Sequence, residues 1–133
     1  MPKTTHLGEC PCGSRRLYNA CCGRWHDGPE RLAAPHPVDL MRSRYAAFVL
    51  GLSDYLLQTW HPDTRPADVD CGPPDIRWLG LEIRRTGTDL DGVPIVEFVA
   101  RSKHQGRATR QRETSRFERL DGRWYYRDGA VHR

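Results

Sequence analysis

Val93-Pro94-Ile95-Val96-Glu97-Phe98-Val99-Ala100-Arg101 reads as an interior strand, dense in Val, Ile and Phe and with few polar positions. Its flanks make it part of a meander. Upstream, Ile76 to Arg84 alternates, with Leu79, Leu81 and Ile83 on one face and Ile76 and Trp78 on the other. Asp91-Gly92 signals the turn between the two runs. Downstream, His104-Gln105-Gly106 turns into a long polar strand, Arg107 to Leu120, with Thr109, Gln111, Glu113, Ser115 and Phe117 on one side. Asp121-Gly122 is a tight hairpin signal, and Arg123-Trp124-Tyr125-Tyr126-Arg127 is the last strand.

Before the strands the period changes to helical. Met41, Tyr45, Phe48, Val49 and Leu52 form an apolar stripe on a helix from Pro37 to Leu50. Pro37 suits the first helical position, Asp39 places a carboxylate at the positive end of the dipole, and Gly51 stops the helix. Ser53 is expected to cap a second helix, Asp54 to Trp60, which Pro62 ends. Two helices followed by a meander of antiparallel strands predict an α+β domain, with the helices on one face of a curved sheet.

Composition divides the chain into residues 1–26, with the cysteines and few aliphatics, a Pro-rich connector at 27–37, and the α+β domain at 38–133. With 38% hydrophobic and 29% charged residues, the chain has enough apolar material for one packed core. No apolar run approaches the roughly 18–20 residues that cross a membrane. Met1-Pro2-Lys3-Thr4-Thr5-His6 lacks the apolar stretch of a secretory signal, so a cytoplasmic location with reduced thiols is expected. From Arg101 to Arg133 ten basic residues face four acidic ones, a local charge of +6 within a chain of net +4. That basic third suits either a solvated Arg-rich sheet face or an acidic partner such as RNA.

Four cysteines fall within thirteen residues, Cys10-Pro11-Cys12-Gly13-Ser14 through Cys21-Cys22-Gly23. Such spacing reads as one tetrahedral, structural zinc site with ligands Cys10, Cys12, Cys21 and Cys22, closed to water by its four thiolates. A redox dithiol at Cys21-Cys22 leaves Cys10 and Cys12 unexplained, and two disulfides conflict with a reducing compartment. An iron–sulfur cluster takes the same four thiolates, and residue type alone does not separate it from zinc. Arg15, Arg16, Arg24 and Trp25 give the knuckle a basic, aromatic surface suited to a partner. Cys71 has no basic neighbour and reads as incidental.

Cys10-Pro11-Cys12-Gly13-Ser14, Tyr18 and Cys21-Cys22 resemble the SEC-C motif, the zinc knuckle at the C-terminus of the bacterial translocase motor. That motif often has His as its fourth ligand. Cys22 takes that position here, with His26 a less suitable substitute. Leu40-Met41-Arg42-Ser43-Arg44-Tyr45-Ala46-Ala47-Phe48, Tyr55-Leu56-Leu57-Gln58-Thr59-Trp60-His61-Pro62, Glu113-Thr114-Ser115-Arg116-Phe117 and Asp121-Gly122-Arg123-Trp124-Tyr125-Tyr126 are similar to the bacterial YchJ-like proteins. Trp78-Leu79-Gly80-Leu81 and Phe98-Val99-Ala100-Arg101 extend that similarity. The resemblance implies a SEC-C knuckle joined to a nuclear-transport-factor-2-like (cystatin-like) cone. It also implies that some members carry a second knuckle, which this chain is expected to lack. It implies no particular reaction.

A cone of this kind often encloses a pocket, for which Arg44, Tyr45, Trp60, His61, Glu113 and Trp124 are the candidate lining residues. Arg44 on an apolar stripe calls for a carboxylate, and Glu113 is the expected partner. His61 and Asp63 offer an acid–base pair. With no nucleophile elbow, phosphate loop or open metal position, no catalytic residue is assigned. The expected function is that of a zinc-binding adaptor, docking through the knuckle on a protein or ribosomal partner. Ligand binding or catalysis in the cone pocket, and RNA binding through the basic third, are the alternatives.

Overall fold

The computed structural model describes residues 8–132. Met1–His6 and Arg133, on which part of the signal-peptide and charge expectations rest, lie outside them. Three helices, α1 (Gly23–His26), α2 (Pro37–Leu50) and α3 (Ser53–Gln58), precede four strands. These are β1 (Arg77–Thr88), β2 (Pro94–His104), β3 (Arg107–Leu120) and β4 (Arg123–His132), paired antiparallel in the order β1-β2-β3-β4. None of the helices among the described residues is long and apolar enough to cross a membrane.

Two hairpins set the register. Gln105 and Gly106 have φ of 51° and 79°, and Asp121 and Gly122 have 51° and 82°. Two successive left-handed residues make the tight turn whose twist matches that of its flanking strands. β2 and β3 pair from His104↔Arg107 to Ile95↔Arg116 without a break. Phe98, Ala100 and Ser102 therefore lie beside Glu113, Gln111 and Thr109 on the concave face.

The helices fill that face. Leu40, Met41, Tyr45 and Leu56 pack with Val96, Phe98 and Phe117 in one buried cluster. The backbone at 59–61 pairs with β4: Tyr126 N donates to Thr59 O at 2.8 Å and His61 N to Tyr126 O at 2.7 Å. That pairing ends α3 at Gln58, two residues short of the expected Trp60 and well before Pro62. Ser53 caps nothing, because the residue preceding the helix is Leu52 and no side chain bonds the free amides. Gly51, with φ 73°, closes α2 as expected.

Two strand expectations change. A bulge between Trp78 and Gly80 interrupts the alternation of β1. Trp78 thereby joins Leu81 and Ile83 against the core, while Leu79 is 48% exposed. β4 continues past the expected Arg127 to His132, through Gly129 opposite Ser115. A Cβ at Gly129 would sit 2.8 Å from Glu113 Cδ, so this glycine leaves room for a carboxylate rather than marking a turn.

The N-terminal segment packs into the domain. Trp25 and Ala34 belong to the domain core, and the cysteines form a second cluster with Ala46 and Leu50 of α2. Helix α2 is thus covered on two sides. The sheet takes its large residues and the knuckle takes Ser43 and Ala46, both wholly buried and small enough for close approach.

Candidate functional site

Cys10, Cys12, Cys21 and Cys22 are buried, and their Sγ atoms all lie within 4.8 Å of one another. Gly13, with φ 85°, supplies the turn that brings Cys12 back beside Cys10. The 3-10 turn Tyr18–Ala20 and helix α1 then deliver Cys21 and Cys22. Zinc–sulfur bonds of about 2.3 Å place tetrahedral thiolates roughly 3.8 Å apart. The Cys12 and Cys21 sulfurs are 3.6 Å apart, so the donor set fits a metal ion of that kind.

The electrostatics of the cluster are compatible with a cation. Hydrogen bonds from the Cys10 and Cys22 thiols hold Cys12 far below the ordinary thiol range. Cys10 is pushed up to about 12, chiefly by its bond to Cys12, and Cys22 is also driven up, first by Cys10. The first thiolate thus raises the cost of a second, a repulsion that a bound cation would offset. The surroundings already favour anionic sulfur. Ser14 Oγ lies 3.1 Å from Cys21 Sγ, and Arg42 Nη1 donates to Cys12 O at 3.0 Å and lies 4.0 Å from its sulfur.

His26 is not a substitute ligand, because both ring nitrogens are engaged elsewhere. Nε2 donates to Ser43 O at 2.8 Å, which makes Nδ1 the acceptor of the Tyr18 hydroxyl at 2.6 Å. Burial pulls His26 below the ordinary histidine range. This Tyr18–His26–Ser43 chain ties knuckle to α2, and no sequence pattern announced it. Arg15 and Arg16 are exposed as expected, beside Leu17 at 63% exposure. Trp25 is not on that surface: it is 6% exposed, its face covered by the Arg24 guanidinium at 4.4 Å.

A cavity of about 360 Å³ opens between the helices and the concave sheet. Of the six expected lining residues, Arg44, Tyr45, Trp60 and Glu113 are present, joined by Phe48, Trp78, Thr109 and Gln111. Trp124 lies elsewhere, its indole donating to Pro35 O at 3.1 Å. His61 turns away from the cavity toward Tyr125 and Glu118. Its Nδ1 accepts the Asp63 backbone N–H at 3.0 Å and lies 3.9 Å from the Asp63 carboxylate, beyond hydrogen-bond reach, and neither residue lines the cavity. Nε2 stands 3.2 Å from Glu118 Oε1, off the line of a hydrogen bond.

Arg44 is 3% exposed and makes no ion pair with Glu113, contrary to expectation. Nη1 donates to Leu56 O at 2.8 Å and Thr59 Oγ1 at 2.7 Å, and the guanidinium lies over the rings of Tyr126 at 4.4 Å and Trp60 at 5.2 Å. Burial lowers it to about 10, still cationic at neutral pH. Glu113 instead accepts from Ser115 Oγ at 2.9 Å and Gln111 Nε2 at 3.3 Å. Tyr126 beside it is pushed up to about 12, first by burial and then by that carboxylate. Cys71 is half-buried against the core, and desolvation raises its thiol, which leaves it unreactive.

The basic third is partly neutralised on the outer face of the sheet. Arg85 and Arg112 share Glu97, Arg116 reaches Asp128 and Asp89, and Arg127 reaches Glu118. Toward the β2–β3 turn like charges instead face each other, Arg101↔Arg110 and Arg77↔Lys103.

Residues 36–129 match the family model described as YchJ, middle NTF2-like domain. The UPF0225 protein of Bordetella pertussis is 55% identical over 92% of this chain and 92% of its own length. That of Streptomyces coelicolor is 50% identical over 90% and 93%. Two SEC-C motif containing proteins of solved structure are similar in fold. The solution structure from Rhodopseudomonas palustris is 32% identical, with TM-score 0.77 over 94% of this chain and 99% of that one. The crystal structure from Psychrobacter arcticus is 26% identical, with TM-score 0.70 over 98% and 85%. A cone of two helices on a four-stranded sheet, joined to a SEC-C-like cysteine cluster, is therefore the YchJ-like (UPF0225) architecture, and the chain belongs to that family.

Proposed function

We propose that the chain is a cytoplasmic, zinc-stapled interaction protein that docks on a protein or ribosomal partner through the tip of its knuckle. The observation that carries this reading is Leu17, 63% exposed between Arg16 and the buried Tyr18 on a loop pinned by backbone bonds at both ends. Cys10 N donates to Arg16 O at 2.8 Å and Tyr18 N to Gly8 O at 3.0 Å, so Arg15-Arg16-Leu17 is held out on a short pinned hairpin. A rigid cationic and apolar tip loses little conformational entropy when it docks. Four thiolates leave zinc no open position for water, so the metal supplies folding energy and no step of chemistry.

The test is a triple variant, Arg15→Glu/Arg16→Glu/Leu17→Ser, compared with wild type in co-sedimentation with purified bacterial ribosomes and in cross-linked capture. Zinc content is expected to stay at one per chain while co-sedimentation or capture is lost. Partners retained by the variant at wild-type levels would sink the knuckle's role. The buried, half-engaged Arg44 supports a second reading, that the cone binds a small molecule in its cavity.

A further inference from the structure

We infer that the concave cavity takes a small, uncharged, planar heteroaromatic carrying a carbonyl acceptor and an N–H donor, a cyclic amide. Its carbonyl turns toward Arg44 and its N–H toward Glu113. This assignment rests on the pocket reading above and names the chemistry of its ligand.

Size and walls come first. The cavity volume of about 360 Å³ suits a bicyclic molecule rather than a metabolite with a long tail. Tyr45, Phe48, Trp60, Trp78 and Tyr126 give it flat aromatic sides, against which a planar ring stacks.

The polar groups are unevenly satisfied. Arg44 uses only Nη1 among the described residues, which leaves the Nε and Nη2 donors over on a residue 3% exposed. The Trp60 indole N–H is buried and has no acceptor. Buried donors in folded proteins find acceptors. The Trp60 N–H has no surface open to the cavity, so Trp60 offers the ligand its ring alone. The spare Arg44 donors are not sealed in this way, and a carbonyl oxygen in the cavity would accept from them. Glu113 has the opposite surplus. Its carboxylate accepts from Gln111 and Ser115, with Tyr126 also against it, and its roughly four lone-pair sites leave room for one more donor. Phe98 is the direct cross-strand neighbour of Glu113, so an apolar ring resting on Phe98 would bring an edge N–H to the carboxylate.

Charge selects a neutral molecule. Arg44 and Glu113 are the two ionised residues lining the cavity, and together they sum to zero. A neutral ligand preserves that balance. A carboxylate ligand would bring a second negative charge into an apolar chamber next to Glu113.

The experiment titrates the zinc-loaded, full-length, ¹⁵N-labelled chain with three bicyclic probes: 2-quinolone, N-methyl-2-quinolone and 2-naphthoate. 2-Quinolone is expected to shift the Trp60 indole N–H resonance and saturate. N-methylation removes one buried hydrogen bond and should weaken binding about tenfold. Arg44→Met, which removes the donors and keeps an apolar side chain of similar length, should also weaken 2-quinolone about tenfold. Where a variant fails to fold, the probe series on the unaltered chain decides. N-methyl-2-quinolone or 2-naphthoate binding the cavity as tightly as 2-quinolone overturns the ligand class and leaves the pocket reading standing. If none of the three probes shifts a cavity resonance, both fall.

Discussion

Stripping the metal from the cysteine cluster should destabilise the whole domain rather than the knuckle alone. Without the ion four clustered sulfurs have no common centre, and the loop from Gly8 to His26 loses the closure that positions Tyr18, Trp25 and His26. Tyr18 is 1% exposed and Trp25 6%, and Trp25 belongs to the same buried cluster as Val96 and Phe117. Freeing those two rings forfeits about 2 kcal/mol each, and the His26–Ser43 bond adds about 1. A loss of about 5 kcal/mol compares with a total of roughly 5–15 for a domain of this size. At about 4 °C per kcal/mol the melting temperature should fall by about 20 °C. The assay is thermal unfolding before and after chelation, with amide exchange followed at Val96 and Val99 on β2, which are 0% and 1% exposed. Their protection should collapse together with that of α2. A chelated protein that melts within about 4 °C of the loaded one, with changes confined to residues 8–34, would refute this coupling.

Four further outcomes can be measured. Arg44→Met should leave the melting temperature unchanged or raise it, by up to about 2 kcal/mol in chemical unfolding, because it removes a buried cation without an ion-pair partner. A drop beyond about 2 kcal/mol would mean the guanidinium is a structural strut. Gly129→Ala should destabilise by about 1–3 kcal/mol, since its methyl overlaps Glu113, and Glu113→Ala in the same chain should recover most of that loss. Burial depresses His26, so below its ordinary value of 6.5 the unfolded chain binds a proton that the folded one refuses. Stability measured in excess zinc should therefore be full above about pH 6.5 and decline as pH falls; a flat profile from pH 7 to 5 would contradict this. Arg110→Glu places an acid opposite Arg101 and should stabilise by about 0.5 kcal/mol in urea titrations, and no gain would show that the like charges are already screened.

What was legible in the sequence were features whose cause is local. Gln105-Gly106 and Asp121-Gly122 demand left-handed backbone at two successive residues, and that chemistry set the β2–β3–β4 meander before any tertiary contact was known. The cysteine spacing is local too, because the knuckle closes within thirteen residues. The misreadings are non-local. The bulge beside Leu79 turns Trp78 inward because β1 must fit β2, and nothing within Ile76–Arg84 encodes that. The last strand runs past the expected Arg127 through Gly129, whose reason, the Glu113 carboxylate, lies on the neighbouring strand. Trp25 was assigned to a surface because periodicity in residues 1–26 gives no hint that Leu32 N will bond Trp25 O at 3.0 Å and fold the segment onto the domain.

Arg44 shows how a partly mistaken expectation can still locate a site. An arginine on an apolar stripe called for a carboxylate, and Glu113 does lie in the same cavity. But Glu113 is held by Ser115 and Gln111, and Arg44 by a backbone carbonyl, a hydroxyl and two aromatic faces. Had the pair served stability alone, direct contact would have neutralised both charges at little further desolvation. Each is instead fixed by neutral neighbours, with hydrogen-bonding capacity left over. Two opposite charges braced apart across aromatic walls hold a space whose ends differ in polarity, one donating and one accepting. A core built for packing would have filled that space with a leucine. On the proposed reading, the polar strand from Thr109 to Ser115, which has little to offer a hydrophobic core, would serve as the accepting wall of a binding chamber.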